Sequence, residues 1–122
     1  MKLRIKGNSI RLRLTQGDVA KFKTDGKLVE TVEFGGDANF YYELIKSENA
    51  ESVSAEFKNG KISISVPKIA AEDWVTSENV GIESAKDSKI KVVIEKDFAC
   101  LNVREGEDES DNFPHPKGEK VC

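Results

Sequence analysis

Ile5-Lys6-Gly7-Asn8-Ser9-Ile10-Arg11-Leu12-Arg13-Leu14 returns fifty-two residues later, without a gap, as Phe57-Lys58-Asn59-Gly60-Lys61-Ile62-Ser63-Ile64-Ser65-Val66. In both stretches apolar and polar residues alternate beside a Gly/Asn turn, the period-two pattern of half-buried strands joined in a tight hairpin. At the same offset Phe22 falls on Trp74, Leu28 on Val80 and Glu43 on Glu95. A correspondence of that length predicts one folding unit used twice.

The remainder of each unit follows from local signals. Thr15 caps a short helix carrying Val19 and Phe22, and Asp25-Gly26 ends it in the left-handed conformation. Residues 28–34 and 40–45 read as strands around Gly35-Gly36-Asp37. In the second copy, residues 53–57 and 61–66 flank Asn59-Gly60. Pro67 then leads a helix built on Ile69, Ala70, Asp73 and Trp74, and residues 80–85 and 90–95 pair across an Asp87-Ser88 turn. Phe22 and Trp74, at matching helix positions, are expected to plug the core. A unit of this size buries too little surface to stand alone, so the halves are expected to share one interior. The fold expected is α+β: internally duplicated β-β-α-β-β units forming one small pseudo-twofold, swapped-hairpin-like β-barrel with two short helices. Residues 1–99 form this single barrel domain, with repeats at about 3–46 and 53–96. Residues 100–122 form an irregular acidic C-terminal tail, because their periodicity fades into prolines, glycine and acids.

Composition narrows the class. With 122 residues, 38% hydrophobic and 34% charged, the chain suits one soluble globular domain. Charges interrupt the apolar residues from Lys2 onward, so no secretory signal is read, and no stretch is apolar enough to span a bilayer. A cytoplasmic location is expected. Two cysteines, Cys100 and Cys122, are too few for a disulfide scaffold. The net charge of −3 conceals a polarity. Residues 1–23 carry seven cations against Asp18, whereas residues 105–111 carry five acids and no cation. That asymmetry points to a polyanion-facing start and a solvated acidic end.

A hairpin with Lys6-Gly7-Asn8-Ser9 at its tip and Arg13-Leu14 in its second strand resembles the swapped-hairpin module of AbrB and MazE-type transcription regulators and antitoxins. In the second copy the resemblance is carried by Val66-Pro67-Lys68, Val80-Gly81-Ile82 and Ile90-Lys91-Val92-Val93-Ile94. This sequence has Lys6 where such antitoxins often carry tryptophan, Thr15 in place of the proline, and Ser65 in place of the second arginine. The resemblance implies interlocked hairpins, with Lys6, Asn8, Arg11 and Arg13 facing DNA. The whole chain, including Glu95-Lys96-Asp97-Phe98-Ala99-Cys100-Leu101 and Asp111-Asn112-Phe113-Pro114, is also similar to a small bacterial family of uncharacterised proteins, which implies no activity.

From the residues alone, Arg11 and Arg13 share a strand face opposite Ile10, Leu12 and Leu14, and Lys2, Arg4 and Lys6 alternate in the same way. Such a stripe suits phosphate contact with a steep salt dependence. The alternative is a solvated face partly neutralised by Glu33 or Glu43 across the sheet. Cys100, His115 and Cys122, with Asp108 or Asp111, supply donors adequate for zinc, although their spacing matches no finger or ribbon. Glu107, Asp108, Asp111 and Asn112 lack the glycine and terminal glutamate of a calcium loop. No base is placed to activate Cys100, and no glycine-rich loop precedes a helix. The expectation is a non-enzymatic binding module, without a cofactor unless zinc. It acts either as a DNA-binding regulator through its basic hairpin or as a protein-interaction or metal-binding domain through its tail. Both monomer and homodimer are open.

Overall fold

The computed structural model describes residues 1–98 and Phe113. Strands β1 (Lys2–Lys6) and β2 (Ser9–Leu14) form a hairpin, followed by helix α1 (Gln16–Asp25), β3 (Lys27–Glu33) and β4 (Asn39–Ser47). The second half repeats the order with β5 (Ser54–Lys58), β6 (Lys61–Pro67), α2 (Lys68–Thr76), β7 (Gly81–Glu83) and β8 (Lys91–Lys96). The elements form two four-stranded sheets, β1-β2-β8-β7 and β3-β4-β6-β5. Each sheet therefore joins the hairpin of one half to the last two strands of the other. The joins, β2 on β8 and β4 on β6, are parallel, whereas every other pairing is antiparallel.

Local chemistry explains the element ends. The Thr15 hydroxyl accepts from the Asp18 N–H at 3.2 Å, while the Asp18 carboxylate accepts from the Thr15 N–H at 3.0 Å. This reciprocal capping box starts α1. Gly26 stops the helix at φ 71°, a conformation open to glycine at little cost, and its N–H donates to the Phe22 carbonyl. Pro67 precedes α2 without a side-chain cap. At the tip of the second hairpin Asn59 and Gly60 both take positive φ, as a tight twisted turn requires.

One face of each sheet turns inward. Ile10, Leu12 and Leu14 from β2 meet Ile62, Ile64 and Val66 from β6, with Val92 and Ile94 from β8 and Leu44 from β4, in one buried cluster. Phe22 and Trp74, both 1% exposed, meet edge to face at 6.5 Å between the helices. The Trp74 indole N–H donates to the Val80 carbonyl at 3.0 Å, so burying the ring strands no donor.

Two expectations are corrected. Among the described residues no closed barrel forms, because β1, β7, β3 and β5 remain edge strands. The β7 ladder ends after three residues, where the Ser84 hydroxyl accepts the Val92 N–H. A strand that short cannot carry hydrogen bonding from one sheet round to the other. Ile69, expected on the buried face of α2, is 83% exposed, and Ala71 fills the inward position beside Trp74. The tail at residues 100–122 lies outside the described residues apart from Phe113.

Replacing either core ring should cost about 3–5 kcal/mol of unfolding free energy, the usual price of truncating a buried aromatic. Because Phe22 and Trp74 touch, Phe22→Ala with Trp74→Ala should cost less than the two single losses together. Urea titration of the three variants measures both expectations.

Candidate functional site

The outward face of the β1-β2-β8-β7 sheet collects the basic residues of the first hairpin. Lys2 stands opposite Arg13, Arg4 opposite Arg11 and Lys6 opposite Ser9. The parallel join to β8 sets Arg13 level with Glu95. Arg11 donates to one Glu95 oxygen at 2.9 Å, and the Arg13 Nε donates to the other at 2.8 Å. All three side chains are mostly covered, at 18%, 17% and 12% exposure. Lys2 meets Asp97 at 3.0 Å.

Gly81 lies opposite Glu95 on the other flank. A Cβ at that glycine would stand 3.0 Å from the Ile94 carbonyl oxygen and 3.4 Å from the Glu95 Cβ, tighter than ordinary contact, so a side chain there would have to push β7 and β8 slightly apart. Burial alone would raise the Glu95 carboxyl, but the hydrogen bonds and charges of Arg13 and Arg11 outweigh it. The carboxyl is held below the ordinary glutamate range.

The structure spreads the four residues singled out for nucleic-acid contact. Arg11 and Arg13 lie together on the sheet face. Lys6 is exposed at the end of β1. Asn8 ties the hairpin to β8: its amide donates to the Lys89 carbonyl at 2.6 Å, and its own carbonyl accepts the Lys91 N–H at 3.1 Å. The acid beside the arginines is Glu95, not Glu33 or Glu43, because β2 is completed by β8 while β3 and β4 belong to the other sheet. Cys100, His115, Cys122 and the acids at residues 105–111 lie outside the described residues.

The other sheet carries a counterpart. Glu43 is 4% exposed on the outward face of β4. It accepts from the Ser63 hydroxyl at 2.8 Å and pairs with Lys61 at 3.3 Å and Lys27 at 3.5 Å. Burial again acts upward, and the Ser63 and Lys61 hydrogen bonds with the Lys27 and Lys61 charges bring the carboxyl down. An open groove of about 570 Å3 lies over it, with Tyr41, Glu56 and Lys58 among its walls. The positions of Glu43 and Glu95, fifty-two residues apart in matching stretches, were the available signal. Nothing in the spacing of either half told which cations each would meet.

Both carboxylates ionise more readily when folded, so the sign of the pH effect is fixed. Their stabilisation is fully present above the ordinary glutamate range and is lost as pH falls through the lowered folded values, because the unfolded chain then binds more protons. The thermal midpoint should hold steady near neutrality and drop in acid. Glu95→Gln should lower the neutral midpoint, by removing the anion that two mostly covered guanidiniums share, and should flatten the acid limb. Calorimetry from pH 3 to 7 measures both changes.

Comparison with curated proteins and with solved structures returns no match. A family model matches residues 1–117, and on that match the chain belongs to a family of unknown function, DUF7009.

Proposed function

We propose that this protein is a non-enzymatic polyanion-binding module that docks the outward face of its β1-β2-β8-β7 sheet on duplex DNA. One observation carries the reading: two successive cross-strand pairs on that face, Lys2 with Arg13 and Arg4 with Arg11, set like charges directly opposite each other. Such pairs destabilise a hairpin. At the corresponding places the second hairpin has Ser54 with Ser65 and Glu56 with Ser63, so the fold can be built without them.

Glu95 makes the cluster tolerable and useful. A guanidinium carries five N–H donors, and the carboxylate fixes Arg11 and Arg13 through one oxygen each. Held in this way, a guanidinium loses less freedom on meeting a phosphate than a mobile side chain would. Lys6 extends the surface toward the hairpin tip. The outward face of the other sheet balances Lys27, Lys58 and Lys61 against Glu33, Glu43 and Glu56, and has no comparable excess of positive charge.

We take the halves as one β-β-α-β-β unit used twice, with hairpins exchanged between the copies in the manner of swapped-hairpin regulators. In its support, the register of β1 on β2 recurs in β5 on β6 at the fifty-two-residue offset: Lys2 opposite Arg13 corresponds to Ser54 opposite Ser65. The register of β3 on β4 recurs in β7 on β8, with Val29 opposite Glu43 and Gly81 opposite Glu95.

Fluorescence anisotropy with labelled duplex DNA should show binding that weakens steeply between low and physiological salt. Lys6→Ala with Arg11→Ala, which leaves Arg13 to hold Glu95, should weaken binding and reduce the salt slope by about two, roughly one per lost phosphate contact. An absence of binding at low salt would sink the DNA reading.

A further inference from the structure

We propose that two copies of this chain associate edge to edge through β3, antiparallel and centred on Glu30, joining their β3-β4-β6-β5 sheets into one eight-stranded sheet. This inference is independent of the polyanion surface, which lies on the other sheet. Among the described residues, strand β3 pairs on one side only, with β4. At seven residues it is the longest of the four edge strands, against five for β1 and β5 and three for β7. Five of its residues are exposed, among them Val29 at 48% and Val32 at 41%. A long exposed edge carrying apolar β-branched residues is what a further strand can extend, and what proteins otherwise tend to shield.

The backbone fixes which groups are available. At one end of the ladder the Lys46 N–H donates to the Gly26 carbonyl at 2.9 Å, and at the other the Phe34 N–H donates to the Ala38 carbonyl at 2.9 Å. Between those ends the register is unbroken. Bonded residues alternate along an antiparallel pair, so the even-numbered residues turn their N–H and C=O groups toward β4. Lys27, Val29, Thr31 and Glu33 turn theirs to the open edge.

A second copy fits that edge under twofold symmetry. With the axis at Glu30, Lys27 meets the partner's Glu33 and Val29 meets the partner's Thr31, and these odd-numbered pairs are the ones with outward backbone groups. Leu28 then meets the partner's Val32. Opposite charges close both ends of the interface, and β-branched or apolar pairs fill the steps between. Glu30 meets its own copy at the axis, where each carboxylate already has the amino group of Met1 at 3.2 Å. The β1 and β5 edges, paired about their central residues, lack this complementarity. Pairing β1 about Arg4 would set Lys2 against Lys6, and pairing β5 about Glu56 would set Ser54 against Lys58.

Interfaces made by a single strand edge are small, so the dimer is reversible and concentration dependent. Sedimentation velocity of the full chain in reducing buffer, from micromolar to millimolar, should show the mean mass rising from monomer toward dimer. Thr31→Pro removes an outward N–H that β4 does not use, and should leave a monomer at every concentration with unchanged far-UV circular dichroism. Glu33→Lys and Lys27→Glu should each weaken association about tenfold or more, since each reverses two symmetry-related pairs. The double variant should restore the wild-type curve. Lys27 also faces Glu43 in the folded chain, so Glu33→Lys carries the charge test by itself, and if Thr31→Pro lowers the unfolding midpoint, the charge reversals decide. A monomer up to millimolar, a dimer that survives both Thr31→Pro and Glu33→Lys, or a folded double variant as weak as the single ones would overturn the proposal.

Discussion

Strand β2 has β1 on one side and needs a neighbour on the other, and β6 is in the same position beside β5. Each finds that neighbour in the last strand of the opposite half, β8 or β4, through a parallel ladder that runs the length of the strand. These two joins hold the molecule together. They bring Ile10, Leu12 and Leu14 over the same interior as Ile62, Ile64 and Val66, and they make one core out of two units too small to bury one separately. Parallel pairing also needs a long connection between partners, and here much of the chain lies between β2 and β8. Each sheet is therefore made of strands from both halves.

The joins also decide the electrostatics. On β2 the partner of Arg13 is Glu95, whereas on β6 the residue level with Glu43 is Ser63. Glu43 and Glu95 match at the fifty-two-residue offset, but Arg13 corresponds to Ser65, not Ser63. The two parallel joins thus differ by two residues. A slip of two is one full side-chain period, so inward residues stay inward and the core is unaffected. On the outward face the same slip changes which groups meet. It gives one carboxylate a pair of arginines on a neighbouring strand, and gives the other a serine and two lysines beneath an open groove. The two joins thus agree where side chains pack inward and differ where they face solvent.

Much of the architecture was legible because its causes are local. Thr15 and Asp18 mark a helix start, Gly26 its end, and Asn59-Gly60 a hairpin, each through hydrogen bonds or backbone angles that involve only near neighbours. Alternation located the inward residues of β2 and β6, and the matching Phe22 and Trp74 located the plugs between helices and sheets. The placement of Ile69 failed for an equally local reason. Ala71 and Trp74, three apart, define the inward stripe of α2, and Ile69 falls outside it. Barrel closure failed for a reason that is not local, since it depends on whether edge strands meet and β7 stops after three residues.

The sequence by itself determined the strands, the helices, their order, the inward faces of β2 and β6 and the concentration of positive charge on the first hairpin, because propensity, capping and period-two patterning act over a few neighbouring residues. Only the tertiary structure decided that Arg11 and Arg13 are held by Glu95, that Asn8 fastens the hairpin tip to β8, and that the two sheets do not close on each other among the described residues. Those outcomes depend on which strands lie side by side and in what register. Register between strands some eighty residues apart is set by how the inward side chains of both halves pack together, and no short stretch of the chain contains that information.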